Sequence, residues 1–387
     1  MHEEELKEIN SENASSPFPA AYSSALSPGE KKSSEDPCET SSKLLDDEDF
    51  DPEIVFEEDS VQTQAKIPPG RNIYKVFLFL LILAFIFLGF EFLARQLMMA
   101  VPGPSQVESL VTSFNQLNKD EIEILVFGNS HSQRGIDPAD LSKKGFSFAL
   151  TAQDLYYDFR FWEKYSPELT HLQYVIIPVD HFSFGYDLGM LEKRFAEYYA
   201  EMGIPARRFY LRFYCWIQAH SYLIKYRAVI VKRIAEIIKG GKRPDQPPKE
   251  QFIFGEFQEA ERRQKGAMLA GRRMNDSYHK ANEKAYLGYL TTMIYQALER
   301  NIRVLLVTLP TNPEYYNELT EGFVLNFHGH INRLLGEFHE DSRLAYVDFT
   351  GDPRFTAMDY YDVDHLNPSG ARKLAKILDE KIHDLSS

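Results

Sequence analysis

An uncharged apolar run divides this chain into two unequal parts. Every residue from Val76 to Phe90 is uncharged, and nearly all are large and apolar. With its flanks, the stretch 73–94 has the roughly 20 residues that a helix needs to cross a bilayer. The run is apolar on every side, which disfavours a buried core helix, and it lies too far into the chain for a cleaved signal peptide. We therefore predict a transmembrane helix over residues 73–94, with Glu91 near one end, where it can reach the interface.

The basic residues around this run predict its orientation. Lys66, Arg71 and Lys75 precede it, whereas only Arg95 follows it closely. Positive charge is concentrated on the cytoplasmic side of membrane spans. The sequence thus predicts a single-pass membrane protein whose N-terminus is cytoplasmic and whose main domain is extracytoplasmic, either periplasmic or at the cell surface.

The segment before the span is rich in Ser, Glu, Asp and Pro. All of the chain's net charge of −14 comes from residues 1–65, because acidic and basic residues balance in the remainder. A segment with so few large apolar residues cannot bury enough surface to offset chain entropy, so we predict a disordered acidic cytoplasmic tail. The two cysteines, Cys38 and Cys215, offer no disulfide framework.

Residues 105–387 alternate short apolar runs with helical patterns. The predicted strands are 122–127, 146–150, 174–179, 303–308 and 344–348. The run 174–179 is apolar throughout, as a strand buried on both faces of a parallel sheet should be. This alternation predicts an α/β protein, specifically a three-layer α/β/α sandwich with right-handed crossovers.

A long helical insertion, about 182–280, separates the third and fourth predicted strands. It is dense in aromatic and basic residues, as in 207–216 and 225–233. Two interpretations stay open: the favoured one is a helical cap whose aromatics are core, and the other is a surface for the membrane interface or for an anionic polymer. Nucleic acid is not expected as a partner of an extracytoplasmic domain.

A serine stands where the first predicted strand ends in a tight turn. Ser130 closes the turn that begins at Gly128. A serine in such a turn has its hydroxyl exposed at the end of the strand, where it can react. Its hydroxyl needs a base to become a nucleophile. His365 lies after the fifth strand and before the last helix, and the carboxyl ends of parallel strands share one edge of the sheet. We predict Ser130 as nucleophile, His365 as general base and then acid, and Asp362 as the group that orients the imidazole.

Several further residues are candidates by the same topological argument. Asp364 is the rival for the third role, but its place in a tight loop beside His365 predicts that it is exposed or caps the last helix. Thr311 and Asn312 follow the fourth strand at the same edge. The oxyanion hole would use the Ser130 backbone N–H and donors on the loop after the second strand. No cofactor is predicted. No metal is predicted either, because the three histidines that could serve as ligands, His131, His181 and His365, show no ligand spacing on one element.

Two stretches resemble the SGNH (GDSL-like) hydrolase superfamily. Gly128-Asn-Ser-His-Ser132 resembles its first block, Gly-Asp-Ser-x-Ser, and Asp362-x-x-His365 with Leu366-Asn-Pro-x-Gly370 resembles its last block. The resemblance covers most of the chain from about Glu121 onward. It implies a flavodoxin-like parallel five-stranded sheet of order 2-1-3-4-5 and ester chemistry, with Ser130, Asp362 and His365 as the triad.

The chain departs from the superfamily pattern at three places. Asn129 stands where the family has aspartate, and Ala152 replaces the oxyanion glycine. After the third strand the sequence is Asp180-His-Phe-Ser183, without the third-block asparagine. These residues are therefore predicted only as oxyanion or substrate-binding groups.

The architecture is similar to that of membrane-anchored superfamily members that act on envelope polysaccharides. That resemblance implies a serine esterase or O-acetyltransferase acting on an acylated cell-envelope glycan, with a membrane-bound acyltransferase as a candidate partner. The alternative is a non-catalytic assembly subunit that keeps the fold and binds a glycan or a protein in its cleft.

Overall fold

The computed structural model describes residues 70–98, 105–188, 195–238, 254–338 and 341–385. The predicted tail, residues 1–65, and Cys38 lie outside the described residues. The first helix, α1 (Gly70–Met98), contains the predicted span, and Ile73–Gln96 within it is long and apolar enough to cross a membrane. Membrane insertion itself stays a prediction.

Five parallel strands form the sheet at the centre of the domain. They are β1 (Ile124–Val126), β2 (Gly145–Ser147), β3 (Tyr174–Pro178), β4 (Arg303–Thr308) and β5 (Leu344–Asp348). Their order is β2-β1-β3-β4-β5, which confirms the predicted fold class and sheet order. β1 is shorter than predicted at both ends. At its C-terminal end the chain turns away at Gly128, although the Phe127 amide still donates to the Ile176 carbonyl at 3.1 Å.

Helices connect the strands and flank the sheet. Besides α1 they are α2 (Gln106–Gln116), α3 (Ser130–Gly135), α4 (Leu155–Tyr165), α5 (Phe195–Met202), α6 (Phe209–His220), α7 (Tyr222–Lys225), α8 (Arg227–Ile238), α9 (Glu259–Arg272), α10 (Glu283–Glu299), α11 (Pro313–Tyr316), α12 (Glu321–Glu337) and α13 (Pro368–Asp384). A π-helical turn, Arg273–Ser277, follows α9.

Alternate residues of each strand point to opposite faces of the sheet. Leu125 and Phe127 pack into one apolar core together with residues of α2, α4, α6 and α10. Ile124 and Val126 pack into the other core, which α13 completes. The sheet is therefore the middle of three layers, and its burial on both faces explains why its strands read as nearly continuous apolar runs.

The inserted helices between β3 and β4 only partly match the interpretation that they form a cap whose aromatic side chains belong to the core. Tyr198 of α5 and the free Cys215 of α6 are fully buried. The aromatics of α6 on its other side are exposed instead, and these are Phe209, Tyr210, Phe213 and Trp216. For these four residues the expectation that the aromatics are core is wrong.

Candidate active site

The turn after β1 requires glycine at its first position. Gly128 has φ +114°, in the region that disfavours residues with a Cβ, and a Cβ there would lie 2.2 Å from Ser132 Oγ. Asn129 then caps α3, because its Oδ1 accepts a hydrogen bond from the His131 amide at 2.8 Å. The result is that Ser130 begins a short helix at the carboxyl edge of the sheet.

The loop before α13 is folded by two side-chain caps. Asp362 Oδ1 accepts hydrogen bonds from the backbone amides of Asp364 and His365, at 3.2 and 2.9 Å. Asn367 Oδ1 accepts from the Ser369 amide at 2.9 Å and so caps α13. These local bonds turn the chain so that the His365 ring faces the end of β1.

Ser130, His365 and Asp362 form a hydrogen-bonded chain. His365 Nε2 lies 2.8 Å from Ser130 Oγ, and Nδ1 lies 2.8 and 3.0 Å from the two carboxylate oxygens of Asp362. Burial lowers the pKa of His365, but hydrogen bonds to Asp362 and Asp364 outweigh it and raise that pKa above the ordinary histidine value. The structure thus brings the three predicted triad residues together in the predicted sequence of contacts.

Asp364 is neither exposed nor a helix cap, so that expectation is wrong. Its side chain is 4% exposed, whereas that of Asp362 is 42% exposed. Asp364 Oδ1 lies 3.0 Å from His365 Nδ1, so both carboxylates touch the same ring nitrogen. The cap of α13 is Asn367 instead, which leaves Asp364 free to turn inward.

Behind the triad lies a buried group of alternating charges. His131 Nε2 lies 2.8 Å from Asp364 Oδ2, and His131 Nδ1 lies 3.1 Å from Asp180 Oδ2. Arg273 donates from Nη2 to Asp364 Oδ2 at 3.2 Å. Burial lowers the pKa of His131, but the charges of Asp180 and Asp364 outweigh it and raise that pKa to about 10. His131 is therefore a buried cation that neutralises two carboxylates.

Three of these residues have the spacing of metal ligands. Atoms of His131, Asp364 and His365 lie within 4.8 Å of one another. In this arrangement the two imidazoles are already engaged, because His131 contacts both buried carboxylates and His365 contacts Ser130. The donor set therefore fits a protonated histidine as counter-ion, and the predicted absence of a metal stays a prediction.

A cavity of about 200 Å³ opens beside the serine. It is lined by Asn129, Ser130, Thr151, Ala152, Phe182, Tyr186, Leu269, Arg272, Arg273 and Ser277. Ala152 has φ +61°, a conformation that glycine adopts without strain, which is the physical reason that a glycine suits this position. Ser130 and Ala152 therefore border one small space.

The other predicted candidates divide between the cavity and the layer behind it. Asn129 lines the cavity and donates from Nδ2 to Asp180 Oδ2 at 2.7 Å, whereas Asp180 is buried behind it. Thr311 and Asn312 are also buried, and neither lines this cavity. Asn312 instead caps α11 by accepting from the Glu314 amide at 3.1 Å.

Arg273 is the main site residue that sequence reasoning missed. It lines the cavity, contacts Asp364, and places its guanidinium 4.1 Å from the centre of the Phe182 ring. It comes from the π-helical turn after α9, near the end of the insertion. The only sequence signal was the basic pair Arg272-Arg273, one of many such pairs in that segment.

A scan against protein-family models and a search of curated proteins found no match. Among solved structures, the chain is similar to a GDSL-like lipase from Bacteroides thetaiotaomicron, with 10% identity and a TM-score of 0.36 over 72% of this chain and 98% of the other. It is also similar to an acetyl xylan esterase, with 13% identity and a TM-score of 0.33 over 67% of this chain and 100% of the other. Likenesses this weak say nothing about the reaction.

Proposed function

We propose that this protein is a membrane-anchored serine esterase or O-acetyltransferase that acts on an acylated cell-envelope polysaccharide. One observation carries the proposal: the continuous contact from Ser130 Oγ through His365 to Asp362, with distances of 2.8 Å on both sides of the imidazole. A serine, a base and an orienting carboxylate in this order are the apparatus of acyl transfer through a covalent intermediate.

In the first half of the proposed reaction, Ser130 Oγ attacks the ester carbonyl carbon while His365 Nε2 takes its proton. The tetrahedral intermediate collapses, the bond to the alcohol oxygen breaks, and His365 returns the proton to that oxygen. The acyl group stays on Ser130. In the second half, His365 deprotonates water or a glycan hydroxyl, which attacks the carbonyl carbon of the acyl-serine. The bond between that carbon and Ser130 Oγ then breaks, His365 returns the proton to Oγ, and either the acid or a new ester leaves.

The negative oxygen of the tetrahedral intermediate needs donors close to Ser130. The Ser130 backbone N–H stands at the start of α3, where helical amides lack intrahelical partners. Ala152 borders the same cavity. We assign these two amides to the oxyanion hole, with the Asn129 side chain, which is already bonded to Asp180, holding the turn that presents them.

The size of the cavity supports a short acyl group. Sites for drug-sized molecules measure roughly 300–1,000 Å³, whereas this cavity measures about 200 Å³. An acetyl ester fits such a space, and the sugar polymer that carries it would extend along the surface. The proposed extracytoplasmic location rests on the basic flank before α1, which favours a cytoplasmic N-terminus.

A fluorophosphonate probe, which reacts with activated serines, tests the triad directly. The parent protein should be labelled and should hydrolyse a small acetyl ester, and Ser130→Ala should lose both by orders of magnitude. Ser132→Ala is the matched control, because Ser132 is buried two residues away and should keep most activity. A parent protein that reacts with no such probe or ester would instead favour the non-catalytic binding subunit.

A reporter fused after Ser387 tests the location. A reporter that is active only when exported should be active there. A cytoplasmic signal from the same fusion would contradict the envelope substrate while leaving the triad untouched.

A further inference from the structure

The C-terminal part of α1 is bonded to the inserted helices. Glu91 is buried, and its Oε2 accepts hydrogen bonds from Ser221 Oγ at 2.9 Å and from the Leu223 amide at 3.1 Å. Its Oε1 accepts from the Tyr222 amide at 2.6 Å. The carboxylate therefore fixes the start of α7 against the helix that carries the candidate membrane span.

The position of Glu91 along α1 indicates how deep this contact lies relative to the bilayer. Counting roughly 20 residues, the number that crosses a bilayer, onward from Lys75 reaches Arg95. Arg95 is one helical turn beyond Glu91, bonds to it at 3.4 Å, and lies 4.9 Å from the centre of the Tyr222 ring. If α1 spans the membrane, α7 therefore lies at the boundary between hydrocarbon and headgroups.

The helix before this contact exposes an aromatic stripe. Phe209, Phe213 and Trp216 share one face of α6, because they are spaced four and three residues apart. Phe213 is 70% exposed and Trp216 is 50% exposed. Trp216 is five residues before Ser221, about 8 Å along a helix, so the stripe ends close to the Glu91 contact.

The helix after this contact exposes a second stripe. Val231, Ile234 and Ile238 share one face of α8 and are all exposed. Ile230 on the same helix is buried against Ala94 of α1. Soluble proteins rarely expose neighbouring apolar surfaces of this kind without a partner.

We propose that α6 and α8 lie in the interface of the same bilayer that α1 crosses, with these two stripes against lipid. The inference rests on the proposed membrane span. Lipid is the occupant because the helices that carry the stripes are joined to α1, through Ser221 at the end of α6 and Ile230 of α8. The side chains of α1 from Val76 to Phe90 are themselves exposed and apolar. Aromatic and aliphatic side chains on a helix that lies flat are the means by which proteins bind the headgroup boundary.

The two tryptophans of the chain make the proposal measurable. Trp162 is 1% exposed in the core, whereas Trp216 lies in the proposed lipid contact. The full-length protein is reconstituted in phosphatidylcholine vesicles with or without bromine atoms on the acyl chains, which quench nearby tryptophan fluorescence. Bromination should lower the emission of the parent protein and should leave that of Trp216→Phe unchanged.

A relocated tryptophan controls for quenching that is not specific to the stripe. Lys376 is exposed on α13, which packs on the sheet face opposite to α6. In the double variant Trp216→Phe/Lys376→Trp, bromination should not lower the emission. The proposal is overturned if the parent is not quenched, or if the relocated tryptophan is quenched equally. An unquenched Trp216 that crosslinks to a second copy would assign the stripes to a protein contact instead.

The same vesicles separate this inference from the proposed function. Fluorophosphonate labelling of Ser130 reports the triad whatever the stripes contact. Quenching without labelling would support the membrane contact and contradict the esterase. Labelling without quenching would support the esterase and contradict the membrane contact.

Discussion

The side chain of Asn129 donates a hydrogen bond from Nδ2 to Oδ2 of Asp180, at 2.7 Å, across the ends of β1 and β3. The bond joins two positions at which the chain departs from the SGNH pattern. An aspartate at position 129 would set a second carboxylate against Asp180 and remove the donor. The two departures are therefore coupled in space, and asparagine at 129 follows from the carboxylate at 180.

This coupling predicts that substitutions at positions 129 and 180 do not have additive effects on the free energy of unfolding. Asn129→Asp should lower the free energy of unfolding by about 1–3 kcal/mol, because Asp180 loses a buried donor. The double variant Asn129→Asp/Asp180→Asn restores a donor and keeps the net charge, so it should be more stable than Asn129→Asp alone. Urea unfolding of the parent, Asn129→Asp, Asp180→Asn and the double variant measures this, and strictly additive losses would contradict the coupling.

The two aspartates that touch His365 should respond differently to the same substitution. Asp364→Asn leaves the buried His131 and the partly buried Arg273 without their shared carboxylate, which should cost about 3–5 kcal/mol of unfolding free energy. Asp362 is 42% exposed, so Asp362→Asn should cost much less stability while strongly lowering ester turnover. Thermal unfolding and turnover of both variants test this. If Asp362→Asn were destabilised and the stability of Asp364→Asn were unchanged, the roles assigned to the two aspartates would be reversed.

The pH dependence of turnover should report the raised pKa of His365. The imidazole accepts a proton only when it is neutral, so kcat/KM should rise with pH through a midpoint above the ordinary histidine value. Asp362 and Asp364 raise that pKa, while His131, whose ring centre is 4.9 Å away, opposes them. Asp362→Asn should move the midpoint to lower pH. The rate of fluorophosphonate labelling should follow the same curve, and an unshifted midpoint would exclude this role for Asp362.

The buried cation His131 predicts a loss of stability at alkaline pH. Its pKa is about 10 in the folded protein, against an ordinary value of 6.5. A pKa raised by folding contributes stability that is complete below pH 6.5 and is lost as pH rises toward 10. The His131→Gln variant should be less stable than the parent at pH 7, but its free energy of unfolding should fall less between pH 7 and 9.5. Lysines titrate in both proteins, so the difference between the two curves isolates His131, and parallel curves would contradict a charged His131.

The sequence predicted best those elements whose pattern is local. β4 and β5 have the predicted bounds, because each is a short apolar run between polar turns. The final helix begins at Pro368 after Asn367, as an asparagine cap followed by proline predicts. The positions of Ser130 and His365 at one edge followed from the parallel order of the strands alone.

The errors concern residues whose surroundings come from distant parts of the chain. The tight loop beside His365 predicts that Asp364 is exposed or caps the last helix. Its burial depends instead on His131, which is 233 residues away, and on Arg273, which is 91 residues away. No local pattern contains such contacts. The same holds for the α6 aromatics, since periodicity shows that they share a face but not whether another element covers it.

The separation of Ser130 and His365 also determines when the site can exist. The two residues that touch at 2.8 Å are 235 positions apart, one near the start of the domain and the other just before its last helix. Bringing together such distant residues costs loop-closure entropy before the contact stabilises anything, so folds that depend on such contacts form slowly. During synthesis, Ser130 emerges long before its base, so the hydroxyl stays unreactive until α13 has packed. A chain released early lacks the base altogether, and a folding intermediate therefore carries no activated serine.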